Sequence, residues 1–193
     1  MVKRREILSA ASMVFARNGY EAASLQLLAD MLQISRQALY HYFKSKDQIL
    51  AALFDDYMSR LEAAESSVGA GSSQFRFQRM VRAHIEVVIA DVALTSVLIQ
   101  ERPVMSRIPG LESNRRRARY TESFIDAYRQ GVAAGELHDY DARVIVNSIL
   151  MAANGLSFWY RPFGELKPAQ VIDQLTACLT EGFARQDSAG ACQ

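Results

Sequence analysis

Three polar residues, Ser35, Arg36 and Gln37, stand at the start of a short predicted helix. The planar guanidinium group of Arg36 can donate two hydrogen bonds to O6 and N7 of guanine, and the amide of Gln37 can pair with adenine. The first turn and a half of a helix in the major groove presents its side chains to base edges. These residues therefore predict hydrogen bonding to DNA bases.

The segments around this helix have the spacing of a helix-turn-helix. Apolar residues recur at helical spacing from Ile7 to Phe15, which predicts a first helix. Ser24 is a favourable N-cap for a second helix, and the short linker of Gln33 and Ile34 separates it from the third. Three short helices with a tight turn between the last two define this motif.

A longer fourth helix is predicted over residues 45–65. Ser45 and Gln48 have the spacing of a capping box, and an apolar stripe follows. Lys46 then takes the first helical position, where its positive charge opposes the helix dipole at a cost of about 0.3–1 kcal/mol. A DNA phosphate beside Lys46 would turn this unfavourable charge into a binding contact.

The aromatic residues at the end of the third helix have two interpretations. We expect Tyr40 to reach a base methyl group or a phosphate, and Tyr42 to hold the DNA backbone. The helix N-termini at Ser24 and Ser45 would also contact phosphates through their free N–H groups. The alternative is that Tyr40 and Tyr42 belong to the core, which is the interpretation we favour for Phe43.

Residues 24–50 resemble the DNA-binding domain of the TetR family of transcriptional regulators. The family pattern has matching residues at Ser24, Leu28, Ala29, Ser35, Leu39, Tyr40, Phe43 and Lys46, and the likeness extends back through Ile7, Ala11, Phe15, Gly19 and Tyr20. The resemblance implies a homodimer that binds a palindromic operator and is released by a small molecule. One residue departs from the pattern, because Gln33 stands where the family usually has glycine. A left-handed backbone at Gln33 would be strained.

Composition agrees with an all-α fold of about nine helices. The first hundred residues contain no proline, and apolar residues make up 50% of the chain. Residues 1–46 carry seven Lys/Arg and three Asp/Glu, whereas the remainder carries 15 and 18. We predict a basic helix-turn-helix domain over 1–46 and an effector-binding and dimerisation domain over 47–187. Helix 45–65 would connect the two domains, and 188–193 would form a flexible tail.

The resemblance places the dimer interface on helices 141–160 and 168–185. Small residues there would allow close helix approach, and apolar residues would complete a four-helix contact. The interface residues proposed on this basis are Ser148, Ala152, Leu156, Leu175, Leu179 and Phe183. The alternative is that the same stripe packs only within one subunit.

The effector site is inferred from a second, narrower resemblance. Residues 159–171, WYRPFGELKPAQV, look like the corresponding region of regulators that respond to acyl-CoA thioesters, and four arginines at 115, 116, 117 and 119 suit phosphates. This suggests an acyl-CoA or an apolar carboxylate as effector, with a pocket formed by Tyr120, Phe124, Tyr128, Trp159 and Arg161. The alternative is that the arginines form a solvated face and the aromatic residues are core.

Other classes of function find little support in the residues. The three histidines, His41, His84 and His138, are dispersed, and neither a metal-ligand spacing nor a nucleophile motif occurs, so we expect neither an enzyme nor a cofactor. No run of about 18 apolar residues predicts a membrane span, and we expect a cytoplasmic protein. The sign of regulation is open between repression, which we favour, and activation. A DNA-binding protein without sequence preference or effector is the remaining alternative.

Overall fold

The computed structural model describes residues 4–69 and 71–182, and within these ranges the regular structure is entirely α-helical. The helices are α1 Arg4–Asn18, α2 Leu25–Met31, α3 Arg36–Tyr42, α4 Lys46–Ser66, α5 Ser73–Ala90, α6 Val92–Gln100, α7 Arg102–Met105, α8 Ser113–Ala133, α9 Ala142–Asn154, α10 Leu156–Trp159 and α11 Pro168–Glu181. The all-α prediction is confirmed. The two additional helices are α7 and α10, each of four residues.

Serine side chains cap the three helices that follow α1. The hydroxyl oxygens of Ser24, Ser35 and Ser45 each accept a hydrogen bond from the amide three residues further on, at 3.0, 3.1 and 3.2 Å. The predicted capping box at α4 differs in one bond. Gln48 Oε1 accepts from the backbone N–H of Lys44, at 2.7 Å, instead of that of Ser45. One more donor next to the helix is thereby satisfied.

The turn between α2 and α3 is a Schellman motif with glutamine in the glycine position. Gln33 has φ 54°, a left-handed conformation. The N–H of Ile34 bonds the carbonyl of Ala29 at 3.0 Å, and the N–H of Gln33 bonds that of Asp30 at 3.1 Å. Both bonds are those of the motif. The backbone therefore keeps the glycine-type turn despite the Gln33 side chain, which is the first of two possibilities that the sequence left open, a strained left-handed backbone or a different turn.

An apolar core holds the N-terminal bundle together. Leu39 of α3 is 0% exposed and Phe43, directly after α3, is 3% exposed, so the interpretation of Phe43 as a core residue agrees with the structure. They join buried residues of α1, α2 and the first turn of α4, among them Ile7, Phe15, Leu28, Ile49 and Leu50. Since α1 also contacts α6, the bundle rests directly on the C-terminal helices.

Helix α5 is the centre of the C-terminal domain and contacts α4, α8, α9 and α11. Its axis turns by 95° into α6 at Asp91, whose side chain accepts from the N–H of Leu94 at 3.0 Å. None of the helices in the described ranges has, by itself, the length and apolar character to cross a membrane. The bent pair α5 and α6 meets that test only when both helices are counted together.

The helix predicted over 141–160 is interrupted at Gly155. Helix α9 ends at Asn154, and the short α10 begins at Leu156. Asn and Gly both have low helix propensity, and the side chain of Asn154 lies 3.3 Å from Nε2 of His84 on α5. The prediction of one continuous helix was therefore wrong. Gly155 nevertheless stays close to helical geometry, with φ −58° and ψ −20°, and the buried residues Ala153, Leu156 and Tyr160 lie on one helical face across the break.

Candidate DNA interface and effector cavity

Helix α3 presents a polar outer face over an apolar inner face. Arg36 and Gln37 are exposed, whereas Leu39 beneath them is fully buried. Arg36 Nη2 donates to the hydroxyl of Tyr40 at 3.0 Å, and its guanidinium lies 5.2 Å from the centre of the Tyr40 ring. The arginine is thus held along the outer face of α3, from which its remaining N–H groups can reach a base edge.

Tyr40 and Tyr42 are both half-buried. Their burial is intermediate between that of a core residue and that of an exposed side chain that contacts DNA, the two interpretations considered for them. The Tyr42 ring stands edge-on to His41, with centroids 5.6 Å apart. Lys44 is an exposed cation that sequence reasoning did not single out, and its Nζ donates to the carbonyl of Tyr40 at 2.6 Å. Its only signal was its position directly after the recognition helix.

Lys46 has a structural role that its position in the sequence did not indicate. Its Nζ donates to the carbonyls of Tyr20 and Glu21, at 2.8 and 3.0 Å, and lies 4.7 Å from the centre of the Tyr20 ring. Lys46 thereby fastens the start of α4 to the turn after α1. Its contact with a phosphate stays a prediction, for which one N–H of the ammonium group remains.

A second bond ties the same two elements. The hydroxyl of Tyr20 donates to the carboxylate of Asp47. Burial and that carboxylate raise the pKa of Tyr20 above its usual value, so the phenol stays protonated as the donor. Together with Lys46, this bond makes α4 a rigid continuation of the helix-turn-helix domain.

A cavity of about 420 Å³ lies in the C-terminal domain between α4, α5, α6, α8 and α9. Helix α4 supplies Phe54, Tyr57, Met58 and Leu61 to its wall, while the N-terminus of that helix belongs to the DNA-binding bundle. The wall combines apolar side chains with at least as many polar ones, among them Thr95, Asn114 and Asn147. The volume of the cavity is that of a small-molecule site.

Only some of the residues predicted to form the pocket lie at this cavity. Tyr120 lines it, and Phe124 is fully buried against Tyr120 with ring centroids 5.2 Å apart. Tyr128 lies towards the other end of α8, where its hydroxyl donates to the carbonyl of His138 at 2.8 Å. Trp159 is 53% exposed and Arg161 is also exposed, and neither lines the cavity. Trp159 follows the exposed Ala152 by two helical turns and so lies on the outer side of this stretch, which corrects its placement in the pocket and that of Arg161.

The four arginines of α8 do not act as one cluster. Arg115 is exposed and pairs with Glu112, and Arg119 is also exposed. Arg116 bridges α8 to α4, since it bonds both carboxylate oxygens of Glu62 at 2.8 and 2.7 Å. Of the four, Arg117 faces the cavity. Sequence reasoning missed this distinction, although 117 and 120 lie one turn apart on one face of α8.

His84 of α5 lies at the inner end of the cavity. Its Nδ1 is 3.1 Å from the Tyr120 hydroxyl, and its Nε2 is 3.3 Å from the side-chain oxygen of Asn154. Burial lowers the pKa of His84 to about 4, so the ring is neutral at physiological pH. Among the residues described, no group of three or more His, Cys, Asp or Glu side chains could hold a metal ion.

The surface formed by α9, α10 and the loop before α11 is unusually apolar. Its exposed apolar side chains are Val144, Met151, Phe158, Trp159, Phe163 and Leu166. Ser148 and Ala152 are exposed among them on α9, and Leu175 and Leu179 of α11 are half-buried. Leu156 is 0% exposed within its own chain, which removes it from the predicted interface residues. Phe183 and the tail 188–193 lie outside the described residues.

These features define a helix-turn-helix protein whose recognition helix is joined through one long helix to a domain with a ligand-sized cavity. Family models give the same result for both parts. Residues 7–53 match "Bacterial regulatory proteins, tetR family", and residues 70–183 match "Tetracyclin repressor-like, C-terminal domain". The chain belongs to the TetR family, whose members are DNA-binding transcriptional regulators and not enzymes.

Individual relatives cover nearly the whole chain. The transcriptional repressor KstR2 of Mycolicibacterium smegmatis is 27% identical over 95% of this chain and 91% of its own length. The structure of PfmR from Thermus thermophilus is 27% identical, with a TM-score of 0.84 over 95% of this chain and all of that one. AibR in complex with isovaleryl coenzyme A and operator DNA shares the fold, with 22% identity and a TM-score of 0.79 over 93% and 98% of the chains.

Proposed function

We propose that this chain is a repressor that binds a palindromic operator as a homodimer and leaves it when a small molecule fills the cavity. The observation that carries the proposal is the position of α4. Its first residues are fixed to the DNA-binding bundle through Lys46 and Asp47, while Phe54 and Tyr57 line the cavity. A ligand that displaces these aromatic residues therefore acts directly on the helix that supports the recognition helix.

The DNA contacts proposed are those that the exposed face of α3 permits. Ser35, Arg36 and Gln37 read base edges, and Tyr40 and Tyr42 lie at the rim. Lys46 approaches a phosphate, as do the helix ends at Ser24 and Ser45. Two recognition helices in successive major grooves stand about 34–36 Å apart. The two-fold symmetry of a homodimer then requires a palindromic operator.

The apolar surface of α9 and α10 supports the dimer. An exposed apolar patch of this kind is typical of a protein interface. The proposed contact centres on Ser148, Ala152 and Met151, with Leu175 and Leu179 at its edge and Trp159 added to it. The stripe would then have both of the roles considered for it. Its inner side packs within the subunit, and its outer side packs against the partner in the dimer.

The effector proposed is an acyl-CoA or an apolar carboxylate. AibR, of the same fold, carries isovaleryl coenzyme A. The volume of about 420 Å³ and the apolar part of the cavity wall suit an acyl chain or a small ring system, with any larger polar part outside.

Selection of bound fragments from genomic DNA tests the proposal. We expect enrichment of one palindrome, a complex that contains two chains, and dissociation when a ligand is added. Arg36→Ala should relax the preference at one base-pair position in each half of the enriched palindrome. The matched control Arg115→Ala, on an exposed face of α8, should keep it. If wild-type protein enriches no sequence at low salt, the proposed function is wrong.

A further inference from the structure

The cavity wall contains a cation that finds no anionic partner within the described part of the chain. Nη1 of Arg117 is buried there and makes no hydrogen bond. Nη2 lies 3.5 Å from the carbonyl of Leu98 and 3.7 Å from the sulfur of Met105, both long for a charged donor. No carboxylate of residues 4–69 or 71–182 forms an ion pair with Arg117, whereas its neighbour Arg116 pairs with two. A buried donor left unsatisfied costs free energy, more so when it is charged.

The groups around Arg117 also favour the binding of an anion. Its guanidinium lies 4.7 Å from the centre of the Phe54 ring, which covers one face. Burial and the nearby charge of Arg102 lower the pKa of Arg117 to about 10, so the group stays protonated at physiological pH. Two cations therefore share one end of the cavity, and the exposed position of Arg102 marks an opening to solvent there.

The remaining charges around the cavity do not compensate these cations. Glu122 is the carboxylate among the lining residues, and it pairs with Arg129 at 3.3 Å. His84, at the inner end, is neutral. Between the two ends the wall has apolar side chains such as Leu98 and Leu150 beside uncharged polar ones such as Thr95 and Asn147. The cavity thus carries an uncompensated positive charge at one end and none along the rest of its length.

We infer that Arg117 and Arg102 form an oxyanion site, and that the effector is an amphiphilic anion whose apolar body extends from this site towards Tyr120. The inference rests on the proposed function and adds the residues that hold the anionic group and the orientation of the ligand. The guanidinium fork matches the two oxygens of a carboxylate or a phosphate, and such a bond is stronger away from bulk water. The oxyanion is either the carboxylate of a free acid or a phosphate of a coenzyme A thioester.

Matched ligands with and without charge test the inference on the full chain. The probes are octanoate, decanoate, dodecanoate and naphthoate, their primary amides, decanoyl-CoA and coenzyme A alone, each measured by thermal shift and calorimetry. We expect at least one acid or the thioester to bind, and its amide to bind about 10- to 100-fold more weakly. Binding of decanoate assigns the oxyanion to the carboxylate. Binding of decanoyl-CoA without decanoate assigns it to a phosphate.

Variants then locate the charge. Arg117→Met should lower the affinity for the anion about 10- to 100-fold and leave the affinity for the amide unchanged. The control Arg115→Met should bind both ligands with the affinity of the wild type. Because a buried charged donor without a partner costs free energy, Arg117→Met should keep or raise the unliganded melting temperature, and it should still bind the operator. If Arg117→Met does not fold, Arg102→Gln replaces it in this test and should lower the affinity for the anion several-fold.

Three results would overturn the inference: acids and amides of equal affinity, wild-type anion affinity in Arg117→Met, or no binding by any charged probe. The proposed function fails separately, if the wild-type protein binds no operator.

Discussion

Replacement of Gln33 by glycine should stabilise the protein. Gln33 holds a left-handed conformation at φ 54° in the turn between α2 and α3. For a residue with a Cβ this conformation costs about 1–2 kcal/mol, which glycine avoids. Glycine in turn makes the unfolded chain more flexible, which offsets about 0.4–1 kcal/mol. The net gain expected for Gln33→Gly is about 0.5–1 kcal/mol, or about 2–3 °C in Tm for a chain of this size.

Urea unfolding of the full chain, followed by circular dichroism, measures this change. The control Gln33→Ala removes the same side-chain atoms beyond Cβ but keeps the strained backbone, so its free energy of unfolding should stay close to that of wild type. The Schellman hydrogen bonds of Ile34 and residue 33 use backbone atoms alone. Operator affinity should therefore be retained in Gln33→Gly. Equal stability of the glycine and alanine variants, or a less stable glycine variant, would refute the assignment of strain to this turn.

Three further outcomes are expected. Arg36→Ala should reduce discrimination at one base pair of the operator by about 1–3 kcal/mol in competition binding; uniform losses on all sequences would contradict its role in base recognition. Lys46→Met should lower the affinity for every duplex alike. It should also lower the free energy of unfolding by about 1–3 kcal/mol, because two carbonyls lose their hydrogen bonds to Lys46. Unchanged stability would argue against the role of Lys46 in joining α4 to the turn after α1. The pKa of His84 lies at about 4, below its ordinary 6.5, so the unfolded chain binds a proton more readily. Stability should fall by about 3 kcal/mol as the pH drops from 6.5 to 4, and His84→Gln should remove this slope in acid unfolding.

Local signals allowed the N-terminal domain to be predicted in some detail. The caps at Ser24, Ser35 and Ser45 and the unusual residue in the turn are properties of a few neighbouring residues, and the structure has them at those places. The same type of reasoning could not find the bonds of Lys46, because its partners lie 25 and 26 residues earlier in the chain.

The effector site was harder to predict, because periodicity shows that a helix has an apolar side but not what that side faces. Trp159 was placed in the pocket because residues 159–171 resemble a region of regulators that respond to acyl-CoA thioesters. In the structure it lies two turns after the exposed Ala152, on the outer side of the helix, while Leu156 lies on the inner side. Arg117 differs from Arg116 only in its angle around α8, yet one lines a cavity and the other grips α4. Such distinctions depend on the three-dimensional packing of five helices.

The ion pair between Arg116 and Glu62 determines how far a tilt of α4 moves the first turn of that helix. Helix α4 has 21 residues, so about 24 Å of rigid helix separates Glu62 from its first residue. A tilt of about 10° around that fixed point moves the first turn of α4 by about 4 Å, and two subunits that tilt in opposite directions double the change in separation. In the proposed mechanism, a small swelling of the cavity would be magnified along the helix until the two recognition helices no longer matched successive major grooves. The recognition helices can lose their grooves while their own structure stays unchanged.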